Sequence, residues 1–454
     1  MYSNKCSKNT YYLPFKSKCL SNVNSSLLNE AYNLHYFLLS SNNPFSDNEI
    51  HLIEYNDQDF CVKNVQIFDY KGEIEQMICL DMYQKKEKKK KILLCTSGYC
   101  TYDSYSSANE MENLCSLWLG DIDTIEEKEE ENYTKIKDIV KEEEGNIEEM
   151  EIKDNLKGEQ NDIEKSNEIL NDETNQYKKK CNEDNEKKEN ELKTNIIKKN
   201  RNIKNILSKQ KKVPLKKVHE LKSDRKYISI KKIAIDDYEE EFSKIAIIDK
   251  CSYSIFKKNN KDIHFIQSKN VSMQLTSGIF DPHHQNILTV ISDINIYGYD
   301  IKSNKQIFSA YTNHKAKLSA IDFNSNIPNV IITASSDGYI KLWDLRFLKD
   351  SFLTINIHSH WITSVNFNNF HDELLLTTST DNTVKLHKIE FPNNLNLQNK
   401  ETNYNLIKTY KDHEESVHQG IWSKTDAWIF ASLSYDGKCV VNSVPLEQKY
   451  KILL

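Results

Sequence analysis

An all-β fold is predicted from this sequence: a seven-bladed β-propeller of small antiparallel sheets set around an axis, interrupted by a long disordered charged insertion. Three observations point to it. Turn aspartates recur at Asp249, Asp293, Asp337 and Asp381, three successive intervals of 44 residues, and a fifth, Asp436, follows after 55. Short β-branched runs precede each of them (KIAIID, NILTVISD, NVIITASSD, LLLTTSTD, WIFASLSYD), and a second run follows (CSYSIFK, INIYGYDI, GYIKLWDL, NTVKLHKI, GKCVVNSV). Between residues 121 and 225 the aromatic residues nearly vanish, and an acidic half passes into a basic one.

Two short strands around a tight turn, repeated at one interval, describe antiparallel sheet units. A period in the mid-forties selects propeller blades over the shorter leucine-rich, ankyrin and TPR units, and the runs lack the 3.6-residue periodicity of helical solenoids. Seven blades need roughly 300 residues at about 40–45 each. In a chain of 454 residues that leaves a large surplus, much of it in the insertion.

The repeat yields blades 3–7 over residues 226–454. Upstream, HYFLLSS, NEIHLIEYN, NVQIFDY, EIEQMICLDMY, KKILLCTSGY and ENLCSLWLG read as six strands forming blades 1–2 within residues 31–120. Residues 1–30 are assigned to an N-terminal extension with the first strand region. Residues 121–225 cannot bury enough apolar area to offset chain entropy, so they are expected to be disordered and to sit between blades two and three. Ring closure has two solutions: the final KYKILL strand completes the last blade alone, or an N-terminal strand joins it.

Composition excludes several classes. The 61 basic and 67 acidic residues, net −6, give no general pull toward nucleic acid. No run of 18 apolar residues and no signal-peptide core occurs, so a soluble, cytoplasmic protein with no direct membrane insertion is expected. The ten cysteines contain no CxxC pair and read as reduced, buried thiols. No Gly-rich phosphate loop, GxSxG or HExxH is present. A non-catalytic protein without cofactor or metal is expected, and its propeller is expected to be monomeric. His283 and His284, in the polar turn FDPHHQN, read as solvated rather than metal-bound.

The stretch NHKAKLSAIDFNSNIPNVIITASSDGYIKLWDL resembles the WD40 repeat family. That resemblance implies a hydrogen-bonded tetrad tying each blade together, here His314, Thr333, Asp337 and Trp343. The next blade keeps His358, Thr377 and Asp381, with His387 where Trp is expected. The last keeps His413, Ser432 and Asp436, with Asn442 at the Trp position. The blade before the complete one has Thr289, Asp293 and Tyr299, but Val271 in place of His. A His–Asp–Ser trio repeated once per blade, at sites spread around a ring, argues for structure and against catalysis, because acid and base groups must converge in one cleft.

Other stretches narrow the resemblance. YKDHEESVHQGIWSKTDAWIFASLSYDGKCVVNSVPLEQKYKILL, with its S-Y-D-G turn, N-x-V-P step and K-Y-x-I-L-L finish, is similar to the end of the EARP- and GARP-complex-interacting protein family. SHWITSVNFNNFHDELLLTTSTD and NEIHLIEYNDQDFCVKNVQIFDYKGEIEQM agree with it. The resemblance implies a scaffold that binds multisubunit vesicle tethers in endosomal recycling and endosome-to-Golgi retrograde transport, peripherally associated with endosomes and the trans-Golgi network through its partners.

Contact residues are expected just before each inner strand, at Lys317, Trp361 and Ser416, with Trp361 the foremost as a hot-spot type. Packing against the neighbouring blade is its alternative role. Arg346, one of only three arginines, completes WDLR. This resembles the box through which some propellers dock on the adaptor of cullin-4 ubiquitin ligases, and it makes a substrate receptor the alternative function. A local ion pair with Asp344 is the simpler reading of Arg346. A phosphoinositide-binding propeller is disfavoured, since no blade carries paired arginines.

Overall fold

The computed structural model describes residues 9–24, 33–43, 48–84, 90–100, 112–122, 212–236, 243–259, 263–391 and 402–454. The chain is a seven-bladed β-propeller. Blades 3 to 6 are each four strands in consecutive antiparallel order, from the inner strand at the axis to the outer edge. Their inner strands are Ile230–Asp236, Leu275–Phe280, Leu318–Phe323 and Ile362–Phe367. Second strands such as Val330–Ser335, Leu374–Ser379 and Ile429–Ser434 are buried at every position, which is why their sequences are continuous β-branched and apolar runs rather than alternating ones. Outer strands such as Lys305–Tyr311 and Asn403–Tyr410 are mostly exposed and correspondingly polar.

The inner strands make a closed circuit, each touching the next: Ser17–Val23, Gln76–Gln84, Ile230–Asp236, Leu275–Phe280, Leu318–Phe323, Ile362–Phe367, Val417–Trp422, and back to Ser17–Val23. A register shift follows the first residue of the inner strand in six blades. Such a bulge adds one residue and increases local twist. Two of the bulged residues reach the next blade: Thr276 Oγ1 donates to Leu318 O at 3.2 Å, and Thr363 Oγ1 to Val417 O at 2.6 Å. The blades are thus joined by side-chain hydrogen bonds as well as by apolar cores such as that of Ile332, Leu342, Val365 and Phe367.

The six N-terminal strands read from the sequence are present, and two more complete their blades. Ser17–Val23, within the stretch assigned to an extension, is the inner strand of blade 1. Lys216–Glu220, within the stretch assigned to the insertion, is the outer strand of blade 2. Lys212–Pro214 adds in parallel to the outer edge of blade 1. The long insertion therefore departs inside blade 2, after Glu112–Ile122, and not between blades two and three. Composition hid these strands because an outer edge buries little: Lys216–Glu220 is exposed at four of its five positions. The expectation of disorder falls on residues 123–211, outside the described residues.

Ring closure follows the second solution. Thr10–Tyr12 pairs antiparallel with Lys438–Val440 and becomes the outer strand of blade 7. KYKILL forms no strand. Residues 449–453 of it belong to a helix, Leu446–Leu453, that begins after Pro445 and is capped by Leu454; the sheet edge KYKILL would have taken is occupied by Thr10–Tyr12. Leu13 N–H donates to Gly437 O at 2.9 Å and Ser17 N–H to Tyr435 O at 3.1 Å, so the N-terminal segment is tied along blade 7. Tyr11 O–H donates to His51 Nδ1 at 2.7 Å and accepts from the Asn64 amide at 2.5 Å, which ties it to blade 1 as well. Among the described residues, no helix is long and apolar enough to cross a membrane.

Deleting residues 1–12 removes this strand and leaves the Lys438–Ser443 edge unpaired. We expect a loss of at least about 3 kcal/mol, at roughly 1 kcal/mol for each hydrogen bond broken. Urea denaturation of the truncated and full-length chains checks it.

Candidate functional site

Each blade ends its second strand in a turn on one face of the ring, and the turn aspartates sit there. In blade 5 the structure brings His314, Thr333, Asp337 and Trp343 together. His314 Nδ1 lies 3.1 Å from Asp337 Oδ2 and Nε2 lies 3.2 Å from Thr333 Oγ1, while Trp343 Nε1–H donates to Thr333 Oγ1 at 3.0 Å. A carboxylate only accepts, so Nδ1 carries the proton, Nε2 accepts from the hydroxyl, and the hydroxyl accepts from the indole. Every donor has one acceptor. Gly338, at φ +81°, follows the aspartate, and a Cβ there would fall 2.3 Å from His358 O. Only glycine allows that approach.

Blade 6 solves the same problem with different atoms. His358 bonds Asp381 and Thr377, each at 2.9 Å, and His387 Nε2 lies 2.8 Å from Thr377 Oγ1. His358 gives its Nδ1 proton to Asp381 and takes the Thr377 hydroxyl proton at Nε2, so Thr377 accepts from His387 Nε2–H, and Tyr404 O–H donates to His387 Nδ1 at 3.0 Å. An imidazole thus replaces the indole as donor. It is fully buried, and burial holds it neutral, well below the usual histidine range. Burial alone would raise Asp381, but the bonds from His358 and Thr383 reverse that and hold it below the ordinary carboxylate range.

Blade 7 departs from the expected trio. His413 Nε2 meets Ser432 Oγ at 2.8 Å, but Nδ1 meets Ser434 Oγ at 2.9 Å, and Ser434 in turn bonds Asp436. Asp436 therefore acts one residue removed, because its carboxylate lies out at the exposed turn. Asn442, at the Trp position, donates outward to Asp412. In blade 4, with Val271 in the histidine position, the buried Thr289 hydroxyl has no partner. Blade 2 carries a version that sequence matching missed: Trp118 Nε1–H donates to Thr96 Oγ1 at 2.9 Å, and Tyr70 takes the histidine's place at 3.0 Å.

The expected contact residues occupy equivalent places. The carbonyls of Lys317, Trp361 and Ser416 accept from Ser336, Thr380 and Tyr435 N–H, binding each to the turn of its own blade on the aspartate face. Trp361 is 57% exposed, and the His360 ring stacks on it with centroids 5.3 Å apart. It is not packed away against a neighbouring blade. Lys317 is exposed and Ser416 half-buried. Lys16 is the blade 1 equivalent, missed because its strand was hidden in the N-terminal stretch. Its ammonium lies 4.7 Å above the Tyr435 ring, beside a groove of about 490 Å³ that includes Phe15, Lys18 and Glu73.

Arg346 forms a bidentate pair with Asp344, Nε to Oδ1 at 2.9 Å and a terminal nitrogen to Oδ2 at 2.7 Å. The guanidinium fork is thus engaged within its own blade. His284 Nδ1 lies 2.9 Å from Asp281 Oδ2, and His283 Nε2 lies 3.0 Å from Asn324 O, so both are held by protein groups. Cys19, Cys61, Cys79, Cys95, Cys115, Cys251 and Cys439 are free, five of them buried; Cys95 and Cys115 face each other at 3.5 Å.

The buried histidines make stability depend on pH. Burial, with help from Lys438, pushes His413 down to about 4. The unfolded chain takes up its proton near pH 6.5. The stabilisation is complete above that value and is lost as pH falls toward 4, by about 3 kcal/mol for this residue. Thermal melts between pH 7.5 and 4.5 are expected to show a falling Tm, with a shallower slope in His413→Gln.

Two kinds of likeness bear on the family. The EIPR1 beta-propeller family model matches residues 197–387. The chain is 58% identical over 50 residues to the human EARP and GARP complex-interacting protein 1, covering 11% of this chain and 13% of that protein. It is 57% identical over 49 residues to the EARP-interacting protein homolog of Danio rerio, covering 11% and 13%, and 60% identical over 42 residues to that of Dictyostelium discoideum, covering 9% and 10%. These matches span about an eighth or less of the relatives' lengths. In its propeller, this chain resembles the EARP and GARP complex-interacting protein family.

Proposed function

We propose that this chain is a non-catalytic WD-repeat scaffold that binds vesicle-tethering complexes of the EARP and GARP type, in endosomal recycling and endosome-to-Golgi retrieval. The observation that carries the reading is its likeness to relatives whose names state that interaction. The physical means is a rigid ring. Loops on a preorganised sheet scaffold lose little entropy on binding, and their sequences vary without disturbing the sheets beneath. Trp361 is the anchor of the docking face: a large amphipathic ring, exposed and held by its own backbone bond and by His360.

Affinity purification of the tagged chain from its own cells is expected to recover tether subunits common to both complexes. Trp361→Ala should weaken that recovery at least tenfold with Tm unchanged, since an exposed side chain adds little to the fold. Recovery of a cullin-4 adaptor alone, lost in Arg346→Ala, would replace this reading with that of a ligase receptor.

A further inference from the structure

We propose that His35, Asp57 and Asp426 form a binding site for a divalent cation of the Zn²⁺ class, clamping the first blade to the last. The site lies at the ring's seam, on the face opposite the turn aspartates. His35 is in the blade 1 strand Leu34–Ser41 and is fully buried. Asp57 follows the blade 1 strand Asn48–Asn56, and Asp426 lies between the blade 7 strands Val417–Trp422 and Ile429–Ser434. One ring nitrogen of His35 and one oxygen of each carboxylate lie within 4.8 Å of one another.

The hydrogen bonding of the cluster is incomplete in a way that selects a cation. His35 Nδ1 lies 3.2 Å from Ser423 Oγ, while Nε2 is enclosed and has no partner. Asp57 Oδ1 is enclosed and unpartnered too. Asp426 Oδ1 accepts the Trp428 N–H at 2.6 Å, which leaves its other oxygen available. Buried polar atoms are nearly always satisfied, and an orphan implies a missing partner. When Ser423 Oγ accepts the Nδ1 proton, His35 presents a lone pair at Nε2, and all three groups then offer electron pairs. A water molecule has two protons for three acceptors; a metal ion accepts from all three.

Charge leads the same way. Two carboxylates beside one imidazole make a net negative cluster. One imidazole with two carboxylates is a borderline ligand set that suits Zn²⁺. Ligands around such an ion stand roughly 3–4 Å apart, so the cluster must close by up to about 1 Å. Asp57 and Asp426 both lie in connections between strands, where that shift is available. Ser423 then serves as the outer partner that orients the ligating ring. Sequence spacing could not reveal this set, because its members come from three segments at opposite ends of the chain.

The test uses full-length protein stripped with a chelator and titrated with Zn²⁺ alone. Calorimetry is expected to give one ion per chain, with a Tm raised by several degrees. Asp426→Asn and His35→Gln should each weaken binding at least tenfold. Circular dichroism checks that each variant folds, and Co²⁺ added to the wild-type chain gives a readout that needs no variant. Its visible spectrum should be that of nitrogen and oxygen ligation. Absence of binding by the wild-type chain, equal affinity in folded Asp426→Asn, or a cobalt spectrum dominated by thiolate charge transfer would overturn the assignment.

Discussion

The ring is closed by a strand three residues long that carries the N-terminal segment into the sheet of the last blade. Thr10–Tyr12 supplies the outer strand of blade 7, while the inner strand of blade 1 begins a few residues later at Ser17. Between them the backbone is bonded to Tyr435 and Gly437, and Leu13 packs among Leu20, Phe37, Leu433 and Val441. The apolar cores at the other blade boundaries depend on this one, because an opened ring would expose the faces of both terminal blades to water. Closure also removes the free edge that invites pairing between molecules.

In blades 2 and 4–7 a second constraint recurs. The second strand carries a hydroxyl in the buried interior, and that hydroxyl needs a donor and an acceptor. The indole of Trp343, the imidazole of His387 and the indole of Trp118 each supply a donor. Blade 7 reroutes the chain through Ser434, and blade 4 leaves Thr289 unsatisfied beside an apolar Val271. The variation follows one accounting of protons. It explains why tetrads can depart from the family pattern without loss of the fold: the shape is held by apolar burial, and the tetrads position turns.

Those turns connect the fold to its use. In blades 5–7 the residue before the inner strand is pinned by a backbone bond to the turn of its own blade, so Trp361 and Lys317 project from fixed points. A fold shared by many proteins says little about function; the surface groups it presents say more. Here that surface combines an exposed tryptophan, a lysine stacked over a tyrosine and a shallow groove at the blade 7–blade 1 junction.

Much of the architecture was legible along the chain. The 44-residue interval and the buried second strands marked blades 3–7, since a strand covered on both faces reads as a near-continuous apolar and β-branched run. His314, Thr333, Asp337 and Trp343 were legible because their spacing repeats. Outer strands were not, for Lys216–Glu220 and Thr10–Tyr12 are short edge strands, with few buried side chains to pattern them. Local sequence set which segments favour strands and turns, through burial pattern and turn chemistry. Tertiary packing set which edge each short strand joined, that the final segment turned helical, and that His35 met Asp57 and Asp426, because these outcomes depend on vacancies and neighbours that exist only once the ring has formed.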